Sequence, residues 1–303
     1  MERIPFGNTG LEVTRLGVGL AEIGDFDLSS DDLKTGEVLL NSALDAGINL
    51  LDTSACYGNS EEVIGRTVAH RRNEYILASK CGHVTGGYQG VEWTAETVEH
   101  SIDRSLKRLR TDHIDLMQLH SCGVDVMEKG EVVDALDRAK DSGKIRFVCY
   151  SGDNEEAMRA VDSGRFDTLQ TSLNIVDQHG RTKGLLKNAS DRGMGIIIKR
   201  PIANSVWRAD RSKTSYSDEY FARAKKMAAQ GPIENEPDDR ITTSLQFVFS
   251  HPEPHTIIVG TGNPKHMNHN INIINKGTEL PDSVLSEFHQ RFDTLGTDWR
   301  QLT

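Results

Sequence analysis

Four side chains in the first 120 residues could share a proton with a reacting carbonyl group: Asp52, Tyr57, Lys80 and His120. Asp52, Lys80 and His120 each close a short apolar run, over 48–52, 75–80 and 114–120, and Tyr57 follows in the loop after Asp52. An aspartate at such a point is ordinary turn chemistry, and a lone histidine is most often structural. A lysine there is less ordinary, because a buried ammonium needs a partner. Taken together the four suggest a site. A phenol with a pKa near 10 is a poor donor at neutral pH, and a lysine ammonium within reach stabilises the phenolate and lowers that value. Asp52 would hold the ammonium charged and aimed. A neutral His120 would hydrogen-bond the carbonyl oxygen beside the hydroxyl, forming an oxyanion site. Such a set protonates oxygen while hydride arrives at carbon, and since no side chain delivers hydride, a nicotinamide cofactor is implied.

The elements that must bring these groups together are legible as a repeat. Apolar runs at 15–19, 48–52, 75–80, 114–120, 145–150, 168–173, 195–199 and 256–259 are rich in β-branched or large apolar residues and short enough for buried parallel strands. Amphipathic stretches lie between them. Ser29 and Ser30 precede one helix, which Gly47 ends; Thr94 opens a second; Val133, Leu136 and Ala139 mark a third, closed by Gly143. Eight strands alternating with seven or eight helices predict an α/β fold, a (β/α)8 barrel of one domain spanning residues 1–303. The first strand runs into Gly17-Val18-Gly19-Leu20-Ala21-Glu22, which breaks the G-x-G-x-x-G pattern of a doubly wound sheet. Residues 2–14 read as a β-hairpin around Asn8-Thr9-Gly10 that plugs the barrel bottom. The span 201–239 is far longer than a usual connection of about 2–6 residues. It carries Trp207, a basic set (Arg208, Arg211, Lys213) and a predicted helix near 218–229, and would face a cofactor's phosphates if it folded over the barrel mouth. In such barrels the active site lies at the C-terminal ends of the strands, where Asp52, Lys80 and His120 fall.

Composition narrows the class. The 303 residues carry 45 Asp+Glu against 35 Lys+Arg, a net charge of -10, which argues against nucleic-acid or anionic-membrane partners. No signal peptide and no apolar run of about 18 residues is visible. Four cysteines in such a chain read as reduced thiols, so the expectation is a soluble cytoplasmic protein.

The string Asp52-Thr-Ser-Ala-Cys-Tyr57-Gly58 followed by Glu61-Glu62-Val-Ile-Gly65 resembles the aldo-keto reductase signature. So do Ala78-Ser79-Lys80, Asp115-Leu-Met-Gln-Leu-His120, Gln170 with Asn174, and the opening Phe6-Gly7-Asn-Thr-Gly10-Leu, covering Arg3 to about Asn270. The resemblance implies that Tyr57 is the general acid/base, that Lys80 and Asp52 tune it and that His120 orients the carbonyl of a small-molecule aldehyde, ketone or alcohol. It implies Ser151, Gln170 and Asn174 as cofactor contacts around the nicotinamide amide; Gly152 stands where the family has Asn. After the seventh strand, where the family often has a stacking tyrosine and Ser-Pro, this chain reads Lys199-Arg200-Pro201. There a guanidinium or a lysine stem would pack on the ring. At the adenosine end Thr261, Gly262, Lys265, His266 and Asn270 match the family's 2'-phosphate region, with Gly and His at its usual basic positions. Thr261 and Gly262 precede a helix start whose amides suit an anion. NADP is the cofactor the resemblance implies, with NAD as the alternative. Leu20, Trp93, Cys122 and Trp207 are candidate walls of the substrate pocket.

Two other classes compete. The family includes channel-associated members, so a nucleotide-binding regulatory subunit with little turnover is the alternative, against which the complete tetrad argues. Cys56, Cys81, Cys122 and His83 adjoin the proposed site and could ligate zinc in a barrel hydrolase. No C-x-x-C and no first-strand His-x-His is present, and pocket-lining thiols with no metal are the expectation. His251, His255, His266 and His269 match no metal-binding spacing and are expected at the surface.

Overall fold

A computed structural model describes every residue except Lys213, Thr278 and Thr303. β1 (Arg3–Pro5) and β2 (Glu12–Thr14) pair antiparallel as the predicted hairpin. The barrel strands are β3 (Leu16–Gly19), β4 (Leu50–Asp52), β5 (Ile76–Cys81), β6 (Ile114–His120), β7 (Ile145–Ser151), β8 (Thr168–Ser172), β9 (Gly195–Lys199) and β10 (Thr256–Gly260). They close in sequence order, all pairings parallel, with β10 returning to β3. Each expected strand is found within a residue or two of its limits, and a (β/α)8 barrel is the result. Among the described residues no helix is long and apolar enough to cross a membrane.

Strand alternation gives the barrel interior its layers. One face of every strand points inward with a period of two. At the bottom these inward residues are apolar: Leu50, Ile76, Ala78, Leu116, Cys149, Ile197 and Ile258 form one buried cluster with Phe6 and Val13 of the hairpin. The plug is tight, since a β-carbon on Gly195 would come within 2.7 Å of the Phe6 ring. At the top the same alternation delivers Asp52, Lys80, Gln118, Ser151 and Gln170, all buried. The polar layer therefore sits on an apolar floor.

The helices obey the caps read from sequence. Ser30 accepts from the Asp32 amide to start Asp31–Asp45, and Thr94 caps Ala95–Leu109. The third is Glu131–Asp141, with Gly143 at φ +78° just beyond it. The long excursion after β9 contains the helix Asp218–Ala228. Between them the chain turns through a run of positive φ at Ala203, Asn204 and Ser205. Conformations of this kind cost about 1–3 kcal/mol each in non-glycine residues and concentrate at functional sites.

Candidate active site

Asp52, at the end of β4, is the hub of the polar layer. One carboxylate oxygen accepts from the Lys80 ammonium at 2.7 Å. The other accepts two amide donors, Gln118 at 3.0 Å from β6 and Gln170 at 2.8 Å from β8. Lys80 also donates to the Thr53 carbonyl at 2.8 Å, and its nitrogen lies 4.9 Å from the centre of the Tyr57 ring. Burial alone would lower the Lys80 pKa; the Asp52 carboxylate and then Tyr57 outweigh it and hold the ammonium above its usual range. The His120 ring meets Tyr57 edge-on, with centroids 5.9 Å apart and an interplanar angle of 83°. Burial, then the positive charges of Lys80 and Lys199, push His120 down to about 2, so the imidazole is neutral at any working pH. Ser54 Oγ approaches its Nδ1 at 3.5 Å. That leaves Nε2 without a protein partner among the described residues. The four expected groups thus converge at the C-terminal mouth of the barrel.

One electrostatic expectation is corrected. Lys80 does pull the Tyr57 pKa down, but burial of the phenol, with Asp52 adding to it, pushes harder and the net shift is upward. The hydroxyl is therefore protonated at neutral pH.

A cavity of about 500 Å³ opens beside Tyr57 and Asp52 and reaches Gly19–Glu22, Arg200–Ile202, Asn204, Tyr216 and Ile258–Gly260. Leu20, Arg200 and Pro201 line it as expected. Other expected contacts do not. Ser151 donates to Gln170 at 2.8 Å and Gln170 donates to Asp52, so both candidates sit in the polar layer below the cavity lining. Asn174 lies beyond β8 and donates to the Arg200 carbonyl at 3.1 Å. Gly152 is a glycine for a local reason: a β-carbon there would come within 2.6 Å of the Tyr150 ring, whose hydroxyl is tied to the Cys122 carbonyl at 2.8 Å.

The Lys199 ammonium pairs with Asp153 at 2.8 Å. Burial raises the Asp153 carboxyl, yet Lys199 and Arg200 together hold it below the usual carboxylate range. Arg200 contacts Asp153 at 3.5 Å and Ser172 at 3.1 Å, reaches the Leu302 carbonyl, and stands 5.4 Å from the centre of the Tyr216 ring.

Two of the expected pocket walls are core residues. Trp207 is 2% exposed, donates to Glu236 at 2.6 Å and packs edge-on against Phe288. Cys122 is fully buried. Trp93 packs edge-on against His83, ring centroids 4.7 Å apart, and His83 contacts the His120 carbonyl at 3.0 Å. At the adenosine end, Thr261 and Asn270 are buried while Lys265 and His266 are exposed; none of these, nor Gly262, lines the cavity. Arg208 binds the Pro237 carbonyl at 2.9 Å, Arg211 is exposed, and Lys213 lies outside the described residues. The histidine expectation also changes: His251 is buried against Phe247 and His289, and His255 is wedged between the backbones of Gly7 and Ile196. Among the described residues no group of three or more His, Cys, Asp or Glu could hold a metal.

Sequence reasoning passed over Gln118, Glu22, Asp153 and Tyr216. Gln118 was within reach of it, two residues before His120 and hence on the same strand face. Tyr216 arrives from the long excursion, and no periodicity predicts its place.

The comparisons agree with this geometry. The model of the Aldo/keto reductase family matches residues 15–291. The chain belongs to that family and is an oxidoreductase of it. It is similar to L-galactose dehydrogenase of Arabidopsis thaliana, 26% identical over 278 residues, which cover 88% of this chain and 85% of the relative. It is also 27% identical over 226 residues to an NADH-specific methylglyoxal reductase of Escherichia coli, covering 68% of this chain and 69% of that one. Among solved structures, an aldo-keto reductase from Bacillus halodurans in its holo form superposes with a TM-score of 0.79 over 96% of both chains. At 21% identity that likeness extends to the fold alone.

Proposed function

We propose that this protein interconverts a small aldehyde or ketone and its alcohol with a nicotinamide dinucleotide, Tyr57 acting as general acid/base. A single observation carries the reading: a phenol, a buried ammonium–carboxylate pair and a neutral imidazole meet beside one cavity at the barrel mouth. The cavity wall suits a dinucleotide. Arg200 offers a positive charge, and the Asn204 amide nitrogen, which has no hydrogen-bond partner among the described residues, is a donor suited to a phosphate oxygen. When bound, the nicotinamide supplies or accepts the hydride.

The chain's own residues do the rest. The carbonyl oxygen accepts hydrogen bonds from the Tyr57 hydroxyl and from His120 Nε2, which polarise it before any proton moves. As charge grows on that oxygen Tyr57 releases its proton, and the adjacent Lys80 ammonium stabilises the phenolate left behind. Asp52, held by two glutamine amides, keeps Lys80 charged through this step. In the reverse direction the phenolate takes the proton from the alcohol.

Either dinucleotide is compatible with this chemistry. The resemblance implies NADP; the Escherichia coli relative is named for NADH. The deciding test is Tyr57→Phe. Turnover should fall by about a thousandfold, within the range general acid catalysis commands, while fluorescence titration finds nucleotide binding nearly unchanged. Surviving turnover overturns the acid assignment. Nucleotide binding without turnover of any carbonyl by the unmutated protein favours the regulatory-subunit alternative.

A further inference from the structure

Resting on the dinucleotide reading above, we propose that the Glu22 carboxylate makes the cavity selective for a dinucleotide whose adenosine ribose carries a free 2'-hydroxyl, and against one bearing a 2'-phosphate. Glu22 stands on the 3-10 turn Ala21–Ile23 directly after β3, and β3 pairs with β10 so that Gly19 lies opposite Gly260. From there its carboxylate folds across the end of β10. A β-carbon added to Gly260 would overlap both of its oxygens, so glycine at 260 is what admits the acid. Both residues line the same cavity as Tyr57 and Asp52.

Glu22 stands exposed at the cavity rim without a cationic partner among the described residues, and partial desolvation there raises its carboxyl above the usual carboxylate range. A carboxylate so placed gains by accepting from ribose hydroxyls and is repelled by a phosphate dianion. The backbone beyond Gly260 points the same way. The Asn263 amide donates to Thr261 Oγ1 at 3.0 Å, and the Lys265 amide to the Asn263 side chain at 2.9 Å. The helix Pro264–Lys276 is thus capped by its own asparagine, and two amides that an anion would need are taken. The Phe26 ring closes on Gly262, at 3.3 Å from where a β-carbon would stand. The connecting loop adds Asp25 and Asp27 to the negative side, against the exposed Lys265.

The test is fluorescence titration of the full chain with NADH and with NADPH, for the unmutated protein and for Glu22→Gln and Glu22→Ala. The unmutated protein should bind NADH at least about tenfold more tightly, a difference near 1.4 kcal/mol. Both variants should close most of that gap, chiefly by gaining NADPH affinity. Equal or tighter NADPH binding by the unmutated protein overturns the proposal, as does a gap that survives both substitutions. Failure to bind either nucleotide sinks the dinucleotide reading itself, a different outcome from a wrong preference.

Discussion

Two walls of the same barrel mouth are built on opposite plans. On the side of β4 to β8, Asp52 is met by Lys80, Gln118 and Gln170, and Gln170 in turn by Ser151, all buried. On the side of β3, β10 and the run after β9, Glu22 has no cationic partner and the Asn204 amide nitrogen no hydrogen-bond partner among the described residues. The first wall is organised before any ligand arrives, so its geometry costs little to hold during reaction. The second keeps an unpartnered amide nitrogen at Asn204 and left-handed backbone at 203–205, features common where ligands bind. Under the proposed function, residues of the two walls should therefore respond differently to substitution.

The largest effect should come from breaking the first wall. Asp52→Ala leaves Lys80 as a buried ammonium without its partner, and removal of one member of such a pair costs about 3–5 kcal/mol. Urea unfolding should show that loss; a change within experimental scatter would mean the pair is not buried as described.

A smaller effect should appear as a pH dependence. His120 is held neutral down to about 2, whereas an unfolded histidine takes a proton near 6.5. The unfolded chain then binds more protons in that window. The sign follows: this contribution is complete above pH 6.5 and is lost as the pH falls, by up to about 1.4 kcal/mol per unit. Unfolding free energies measured on the acid side should fall less steeply in His120→Gln than in the unmutated chain. Parallel slopes would show that the ring is not buried neutral.

The smallest effect on stability should come from the second wall. Asn204→Gly removes an unpartnered amide and relaxes a positive φ of 55°, so the unfolding midpoint should hold or rise slightly. Dinucleotide affinity should nevertheless drop about tenfold, the usual scale of a hydrogen bond to a charged group. A loss of stability with affinity intact would reverse the roles given to the two walls.

The barrel and its tetrad were legible because both follow from short-range rules. Apolar runs of strand length, caps at Ser30 and Thr94, and glycine stops at 47 and 143 are local signals, and the strand ends carried Asp52, Lys80 and His120. The expected nicotinamide contacts were legible as positions, whereas their partners inside the protein were not. Both side chains point inward, Ser151 donating to Gln170 and Gln170 to Asp52 from the opposite side of the barrel. Trp207 was misleading: a tryptophan in a long excursion suggests a pocket wall, and the helix Asp282–Leu295, carrying Phe288, packs it into the core.

The order of residues along the chain determined the strands, their inward faces and the four groups that meet at the barrel mouth, since a period of two and a closed parallel barrel leave few other arrangements. Which donors meet which acceptors was decided only by closure of the fold. Hydrogen bonds from β6 and β8 to β4, and the approach of Glu22 to Gly260, join residues 66 to 238 positions apart, and such distances are set by packing rather than by local propensity.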